Sequence, residues 1–344
     1  MPPSIQPASP KVVLITGGNS GVGLALARRL LALSIAQGHR QTIILGCRNP
    51  LKAQKAISGL LQPHLAHKDL CDVQLVEIDT SSVASVTSAA IAIEKKYSRL
   101  DRLFCNAGAM AIAGLNPWGI IQGILTHPVA FFESSEALYQ KRGLVTADGL
   151  GLTFQTNVFG HYLLVHKLAG LLERTGGARV IWTGSAASQL EFLRTDYQHV
   201  LGAKPYESSK YIVDQIAIPM DRRLAQRGVR CLVAEPGNVC SNFLAGLGQA
   251  WLEWVILCAF YLCRLCLSIP RFTISSVNAC EACVLLGVSE GQLDSNMKYH
   301  SRVDRWGAPF VDAVPLVYDK RTGAFLVERM DALVRRFEER RGNE

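Results

Sequence analysis

Long uncharged runs are scarce in this chain of 344 residues. Its most apolar stretch, 251–267 (WLEWVILCAFYLCRLCL), holds only the ten residues Trp254–Cys263 between the charges of Glu253 and Arg264. As a helix those residues cover about 15 Å, half of a ~30 Å hydrocarbon core, so a full span requires both charges to snorkel. A charged-then-apolar leader is missing as well: Met1–Pro10 is proline-rich and reads as a loose tail. No ER-retention tetrapeptide closes the sequence. No aromatic-interleaved basic groove accompanies the net charge of +8. The basic excess therefore points to anionic lipid or a phosphorylated cofactor, not to nucleic acid.

What is present narrows the reading. Ten cysteines without a leader argue for a reducing compartment and free thiols. The pairs Cys263/Cys266 and Cys280/Cys283 have zinc-like spacing but lie in apolar, helical patterns, where cysteine serves as a small hydrophobe, so no metal site is expected. His161 and His166 have no acidic neighbour in sequence and read as packing or surface residues. Gly (29) and Pro (14) are ordinary and the apolar fraction is 49%, so a folded chain with a large core or membrane contact is expected. The length exceeds one sheet-centred domain and falls short of two.

In order, Val12–Thr16 is a β-branched run that reads as a strand buried on both faces. It enters Gly17-Gly18-Asn19-Ser20-Gly21-Val22-Gly23 and then a helical pattern. Strand, glycine turn and helix form a pyrophosphate site, because glycines let the backbone approach and the helix N-terminus offers free N–H groups. A tight β-α turn without a ligand is the alternative. A second strand, Gln41–Gly46, ends at Cys47-Arg48, with no carboxylate before Asp69. An Arg at this strand end suits a 2′-phosphate and favours NADP(H) over NAD(H).

Val73–Ile78 is a third strand, closing on Asp79 near the adenine, and Arg102–Cys105 a fourth, leading to Asn106-Ala107-Gly108. Arg179–Thr183 ends at Gly184-Ser185, and Val229–Ala234 leads to Pro236-Gly237. This alternation predicts an α/β fold, a doubly wound Rossmann-type parallel sheet with ligands at the strands' C-terminal edge. Residues 109–146 break the rhythm with apolar stretches of no clean period. They read as a lid over an apolar substrate or as packing or an oligomer contact. Asp148 is expected to cap a long helix to about Glu173, with Asn157 in its middle.

The segment Tyr206-Glu207-Ser208-Ser209-Lys210 places a phenol and an ammonium one helical turn apart on one face. The positive charge is expected to lower the phenol pKa toward working pH. The helix is read over Ser208–Ala225, with a kink at Pro219.

Five motifs in order, the Thr16–Gly23 turn, Asn106-Ala107-Gly108, Asn157, Ser185 and Tyr206 with Lys210, resemble the short-chain dehydrogenase/reductase family over Lys11 to about Gly246. The stretches Thr146–Leu150, Thr156–His161, Ile181–Thr183 and Pro205–Tyr211 are similar to those of its sterol 3-ketoreductases. One departure is Glu235-Pro236-Gly237-Asn238, where a Thr commonly follows the Gly.

The resemblance implies that Tyr206 acts as general acid and that Ser185 holds the carbonyl oxygen. It implies that Lys210 tunes Tyr206 and holds the nicotinamide ribose, and that Asn157 positions a relay water. It places Gly17, Ser20, Gly21, Val22, Gly23, Arg48, Asp79, Asn106, Tyr206, Lys210, Val239 and Ser241 around the cofactor.

The expected function is NADPH-dependent reduction of a sterol 3-ketone in C4-demethylation, at the cytosolic face of the endoplasmic reticulum or a lipid droplet. The expected partners are the other C4-demethylation enzymes, the membrane surface and a second copy of the chain. A 17-ketosteroid or retinal as substrate, or a non-catalytic NADPH-binding scaffold, are the alternatives.

The expected organisation is a tail (1–10), a reductase domain (11–246) carrying the insert, an apolar membrane-proximal segment (247–272) and a helical extension completing the domain (273–344). The 251–267 stretch reads as a membrane-surface anchor, with a span or a pocket or oligomer helix as alternatives. The charged amphipathic C-terminus reads as a solvated helix.

Overall fold

A computed structural model describes residues 10–126, 137–188, 194–239 and 250–342. Its centre is an eight-stranded sheet built from β1 (Lys11–Thr16), β2 (Gln41–Cys47), β3 (Cys71–Glu77), β4 (Arg102–Cys105), β7 (Ala178–Thr183), β8 (Val229–Glu235), β9 (Met297–Val303) and β10 (Pro309–Pro315). The order is β10-β9-β8-β7-β4-β1-β2-β3, parallel throughout except for the edge pair β9–β10. A separate antiparallel pair, β5 (Ile112–Leu115) and β6 (Leu138–Gln140), lies within the insert.

The continuous apolar strands divide their side chains between two cores, because alternate residues point to opposite faces. Val12 and Leu14 enter one core together with α3 (Val83–Lys96), α5 (Gly160–Lys167), α7 (Pro205–Ala225) and α11 (Lys320–Gly342). Val13 and Ile15 enter the other, with α1 (Gly21–Ala36), α2 (Pro50–Leu61) and α10 (Glu281–Val288). Successive strands run outward from β1 to β3 and then return to β4 on its other side. That reversal opens a crevice at the C-terminal ends of β1 and β4.

Several expectations are corrected. The described part of the insert is not irregular: β5, β6 and α4 (Pro117–Thr126) form within it. Asp148 caps a helix other than its own, since its Oδ2 accepts the Val83 N–H of α3 at 2.8 Å. Helical structure instead begins at Leu152, passes through a π-helical turn (Gln155–Phe159) into α5, and resumes in α6 (Ala169–Thr175). The α7 helix starts at Pro205, whose missing N–H costs nothing at a first turn, and runs through Pro219 to Ala225. Segment 273–344 is not purely helical; it supplies β9 and β10 as well as α9 (Ser276–Ala279), α10 and α11. Nor is α11 merely solvated: Leu326, Met330, Leu333 and Val334 are buried, and Asp331 accepts hydrogen bonds from Tyr162 and Arg223.

The apolar stretch forms α8 (Ala250–Leu267). Leu257 and Phe260 pack on Ile269, Phe272 and Ile274, whereas Trp254, Tyr261, Leu262 and Leu265 are exposed. Among the described residues no helix is long and apolar enough to cross a membrane.

Candidate active site

The turn after β1 is held by close backbone packing. Gly17 has φ +67, and a Cβ on Gly23 would lie 2.5 Å from the Gly17 carbonyl oxygen and 2.6 Å from Asn106 Nδ2. Asn106 Nδ2 donates to the Thr16 carbonyl at 2.9 Å, which fixes the β4 loop against the turn. Thr16 Oγ1 accepts the N–H groups of Asn106 (2.9 Å) and Ala107 (3.0 Å).

The first turn of α1 has free N–H groups. Ser20 is extended and makes no side-chain cap, and a Cβ on Gly21 would meet nothing within 4 Å. An uncapped helix N-terminus facing open space fits a pyrophosphate. A cavity of about 820 Å³ opens there, lined among others by Gly17, Asn19, Ser20, Gly21, Val22, Arg48, Lys52, Asp79, Asn106, Thr156, Tyr206 and Lys210. Its volume suits a dinucleotide with room for part of a substrate.

Arg48, just after β2, and Lys52, in the first turn of α2, line the same cavity. The Arg48 side chain is 77% exposed and 3.9 Å from Asp79, so its charge is available to a ligand. Lys52 was not foreseen, although its place one turn beyond Arg48, where Asn49 caps α2 through the Lys52 N–H (2.9 Å), is a readable signal.

At the other end of the cavity, α7 presents Tyr206 and Lys210. Lys210 is buried and donates to the Thr183 carbonyl at 2.8 Å, with Nζ 5.6 Å from the Tyr206 ring centroid. Burial lowers the ammonium to about 8; Asp214 opposes the shift and Lys298 adds to it. The expected lowering of Tyr206 is not found. Burial raises its phenol to about 12, against a hydrogen bond with Ser185, while Glu207 and Glu235 add to the rise. Desolvation of the phenolate outweighs the favourable contact around it. At neutral pH this tyrosine is therefore a proton donor.

The π-helical turn accounts for Asn157. Its extra residue turns the side chain toward the β4 loop, where Oδ1 accepts Ala109 N–H (2.8 Å) and Nδ2 donates to Ala109 O and Ser209 Oγ (3.0 Å each). Ser209 Oγ in turn donates to the Tyr206 carbonyl at 2.6 Å. Gly23, Asn157 and Ser185 are not among the cavity-lining residues, whereas their neighbours Gly17, Ala109 and Tyr206 are. Val239 pairs with Ile274 and is not among the cavity-lining residues, while Ser241 lies outside the described residues.

Two buried clusters escaped the sequence reading. Lys298 and Asp214 pair at 2.8 Å behind Ser185. At the end of β8, Glu235 accepts from Arg302 (2.6 Å) and Gly237 N–H (3.0 Å), and its other contact is His300 Nδ1 (2.6 Å). Pro236 has no N–H to donate, and the carboxylate binds the next one, that of Gly237. The insert also reaches the site: Gln140 of β6 accepts the Tyr206 N–H at 2.9 Å and donates to Glu207 at 2.6 Å.

His161 packs as expected, fully buried against Trp182. Its Nε2 lies 2.9 Å from Thr16 Oγ1 and its Nδ1 3.3 Å from the Asn157 carbonyl. The carbonyl can only accept, so Nδ1 carries the proton and Nε2 accepts. Cys280 and Cys283 are likewise buried in the apolar core.

Acid should therefore destabilise the fold in two windows. Burial lowers His161 from 6.5 to about 4, so between those values only the unfolded chain binds its proton and stability falls as pH drops. Burial would raise Glu235, but the His300 hydrogen bond and the Arg302 charge outweigh it and hold the carboxyl down at about 2. Its contribution is lost as pH falls from about 4.5 to about 2. Each group is worth on the order of 3 kcal/mol. Urea unfolding at pH 7, 5.5 and 4 measures the upper window, and His161→Gln should flatten it; a wild-type curve already flat there would refute the assignment.

A parallel sheet that reverses at a glycine turn, with a Tyr, a Lys and a Ser at the same edge, defines a dinucleotide-dependent oxidoreductase. The chain belongs to the short chain dehydrogenase family, whose sequence profile matches residues 11–250, and it takes a nicotinamide cofactor.

Among similar proteins, human 3-keto-steroid reductase/17-beta-hydroxysteroid dehydrogenase 7 is 33% identical, with 93% of this chain and 92% of that protein covered. The 3-keto-steroid reductase of Schizosaccharomyces pombe is 30% identical, covering 89% and 90%. Of solved structures, a short-chain type dehydrogenase/reductase from Mycobacterium ulcerans (19% identical, TM-score 0.55, covering 81% and 83%) shares the fold. So does the RhlG/NADP complex from Pseudomonas aeruginosa (22% identical, TM-score 0.51, covering 75% and 86%).

Proposed function

We propose that this enzyme reduces the 3-ketone of a sterol with NADPH. The observation that carries the reading is the convergence of a protonated, half-buried Tyr206, its Ser185 partner and the buried Lys210 at one end of a dinucleotide-sized cavity. The bound cofactor supplies hydride to the ketone carbon.

The chain's own groups handle the oxygen. Ser185 Oγ donates a hydrogen bond to it, and Tyr206 Oη delivers its proton as negative charge develops there. Lys210 Nζ, positive below about pH 8, stabilises the phenolate left behind. Asn157 holds the β4 loop through Ala109 and the Tyr206 backbone through Ser209, so the two walls of the site keep one spacing. Arg48 and Lys52 supply charge for the 2′-phosphate that separates NADPH from NADH.

A steroid ketone as substrate is supported by the relatives' names, and a membrane location by exposed apolar surface. Trp254, Tyr261, Leu262 and Leu265 on α8, and Trp118, Ile121 and Leu125 on α4, face solvent. A helix packed by one apolar face and exposed by the other suits the plane of a membrane surface. Ser241, after β8, is proposed as a further nicotinamide contact. The human relative's double name favours a 17-ketosteroid as the second reading.

Detergent-solubilised protein, offered a 4-methyl-sterol 3-ketone and separately a 17-ketosteroid, should consume NADPH on the first and far less NADH. Turnover on the 17-ketosteroid alone would replace the substrate. Cofactor binding with no turnover on either would overturn the steroid reading in favour of another lipophilic carbonyl such as retinal, and then of a scaffold.

A further inference from the structure

We propose that Lys298 and Asp214, a buried ion pair contributed by β9 and α7, are positioning residues for reduction: Lys298 fixes the Ser185 loop, and Asp214, one helical turn from Lys210, holds Lys298. The inference rests on the reading of Ser185, Tyr206 and Lys210 as the reacting machinery.

The geometry is unusually complete for a side chain so remote in sequence. Lys298 Nζ donates to the Ser185 carbonyl (2.7 Å), to Asp214 Oδ2 (2.8 Å) and to Ser188 Oγ (3.1 Å), using all three of its protons. Both partners are more than nine-tenths buried, at 6% and 4% exposure. The aliphatic stem passes under Gly184, where an added Cβ would come within 3.0 Å of Lys298 Cε. Any longer residue at 184 would lift the loop that carries Ser185. A lone buried ammonium would be strongly disfavoured, and Asp214 supplies the opposite charge beside it at 2.8 Å. A serine that must hydrogen-bond a developing oxyanion needs its backbone held to within a fraction of an ångström. The Lys298–Ser185 contact supplies that restraint from the opposite side of the loop.

The same pair acts on Lys210 through space. Asp214 lies one helical turn beyond Lys210 on α7, on the same face, and its charge raises the Lys210 pKa. Lys298 lowers it. The other groups around this ammonium are Tyr206 on its own helix and His161 on α5, which stays neutral above about pH 4. Glu235 on β8 acts on Tyr206, with His300 and Arg302 of β9 bound to its carboxylate. Of these, Asp214 and Lys298 are the charges that oppose each other at Lys210. Removing either should therefore displace its titration, in opposite directions.

The test is the pH profile of ketone reduction at saturating NADPH for the full chain. Wild-type kcat should fall above about pH 8 as Lys210 loses its proton. Asp214→Asn can still accept from Lys298, so kcat at pH 6.5 should stay within about 3-fold while the alkaline limb moves down by about one pH unit. Lys298→Met should move that limb up by a similar amount and lower kcat about 30-fold with KM nearly unchanged, the mark of an interaction made in the transition state. In the double variant the limb should return toward its wild-type position while the loss in kcat persists, since Ser185 still lacks its donor.

Unchanged limbs in every variant would overturn the electrostatic coupling, and wild-type kcat in Lys298→Met would overturn the positioning of Ser185. If Lys298→Met melts too low to assay, the Asp214→Asn limb and the double variant's kcat decide between the same outcomes. Ser185→Ala and Tyr206→Phe are run alongside. Full turnover in those controls would sink the underlying site assignment, whereas losses there with wild-type behaviour at Lys298 and Asp214 would sink this inference alone.

Discussion

Tyr206→Phe should lower kcat for ketone reduction by roughly 10³- to 10⁴-fold, the scale of a lost general acid. The phenol is half-buried, held protonated up to about pH 12 and hydrogen-bonded with Ser185, so the hydroxyl is the group poised to give up a proton. Phenylalanine removes that oxygen and leaves the ring, so the Lys210 ammonium 5.6 Å from the centroid keeps its aromatic neighbour. Lys210 also keeps its hydrogen bond to the Thr183 carbonyl. Cofactor affinity, read by quenching of intrinsic tryptophan fluorescence, should therefore change by less than about 3-fold, a fraction of a kcal/mol. A large drop in turnover with unchanged binding is the signature of a group used only in the chemical step. Turnover within 10-fold of wild type would mean that the proton comes from elsewhere.

The second large effect is expected far from the reacting atoms, at Gly23→Ala. A Cβ there would sit 2.5 Å from the Gly17 carbonyl oxygen and 2.6 Å from Asn106 Nδ2. Neither neighbour can yield cheaply, since Gly17 already holds a left-handed backbone and Asn106 is tied to the Thr16 carbonyl. The turn and the β4 loop must separate, which costs about 2 kcal/mol of stability by the usual scale of overpacking. The displaced turn no longer presents the first N–H groups of α1, so cofactor affinity should fall about 30-fold, equivalent to about 2 kcal/mol. Gly59→Ala is the control. It lies inside α2 with nothing within 4 Å of the new Cβ, and Ala should be neutral or slightly stabilising there. Unfolding in urea and cofactor titration of both variants check the pair, and a Gly23→Ala protein with wild-type affinity would refute the account.

Much of this architecture was legible before any coordinates, wherever the information is local. The β-branched run 12–16, the glycine turn and the helix after it are consecutive, and each reports its own backbone preference. The Tyr206–Lys210 spacing is likewise a one-turn relation that needs only a helix to become a geometry. The place of Arg48 on the cavity wall was readable because a strand's end is a fixed place in a doubly wound sheet.

Other features are long-range, and no local pattern encodes them. Asp148 reads as a cap for the helix that follows it, and its carboxylate instead serves Val83, 65 positions back. The insert's pairing of β5 with β6, and the reach of Gln140 to Tyr206, depend on where the chain returns after an excursion. Lys298 and Asp214 are 84 residues apart and meet only because β9 joins the sheet beside β8. The sign of the Tyr206 shift also belongs to the tertiary structure. Sequence spacing places an ammonium near the phenol, but how much water the packed chain excludes decides whether charge attraction or desolvation prevails.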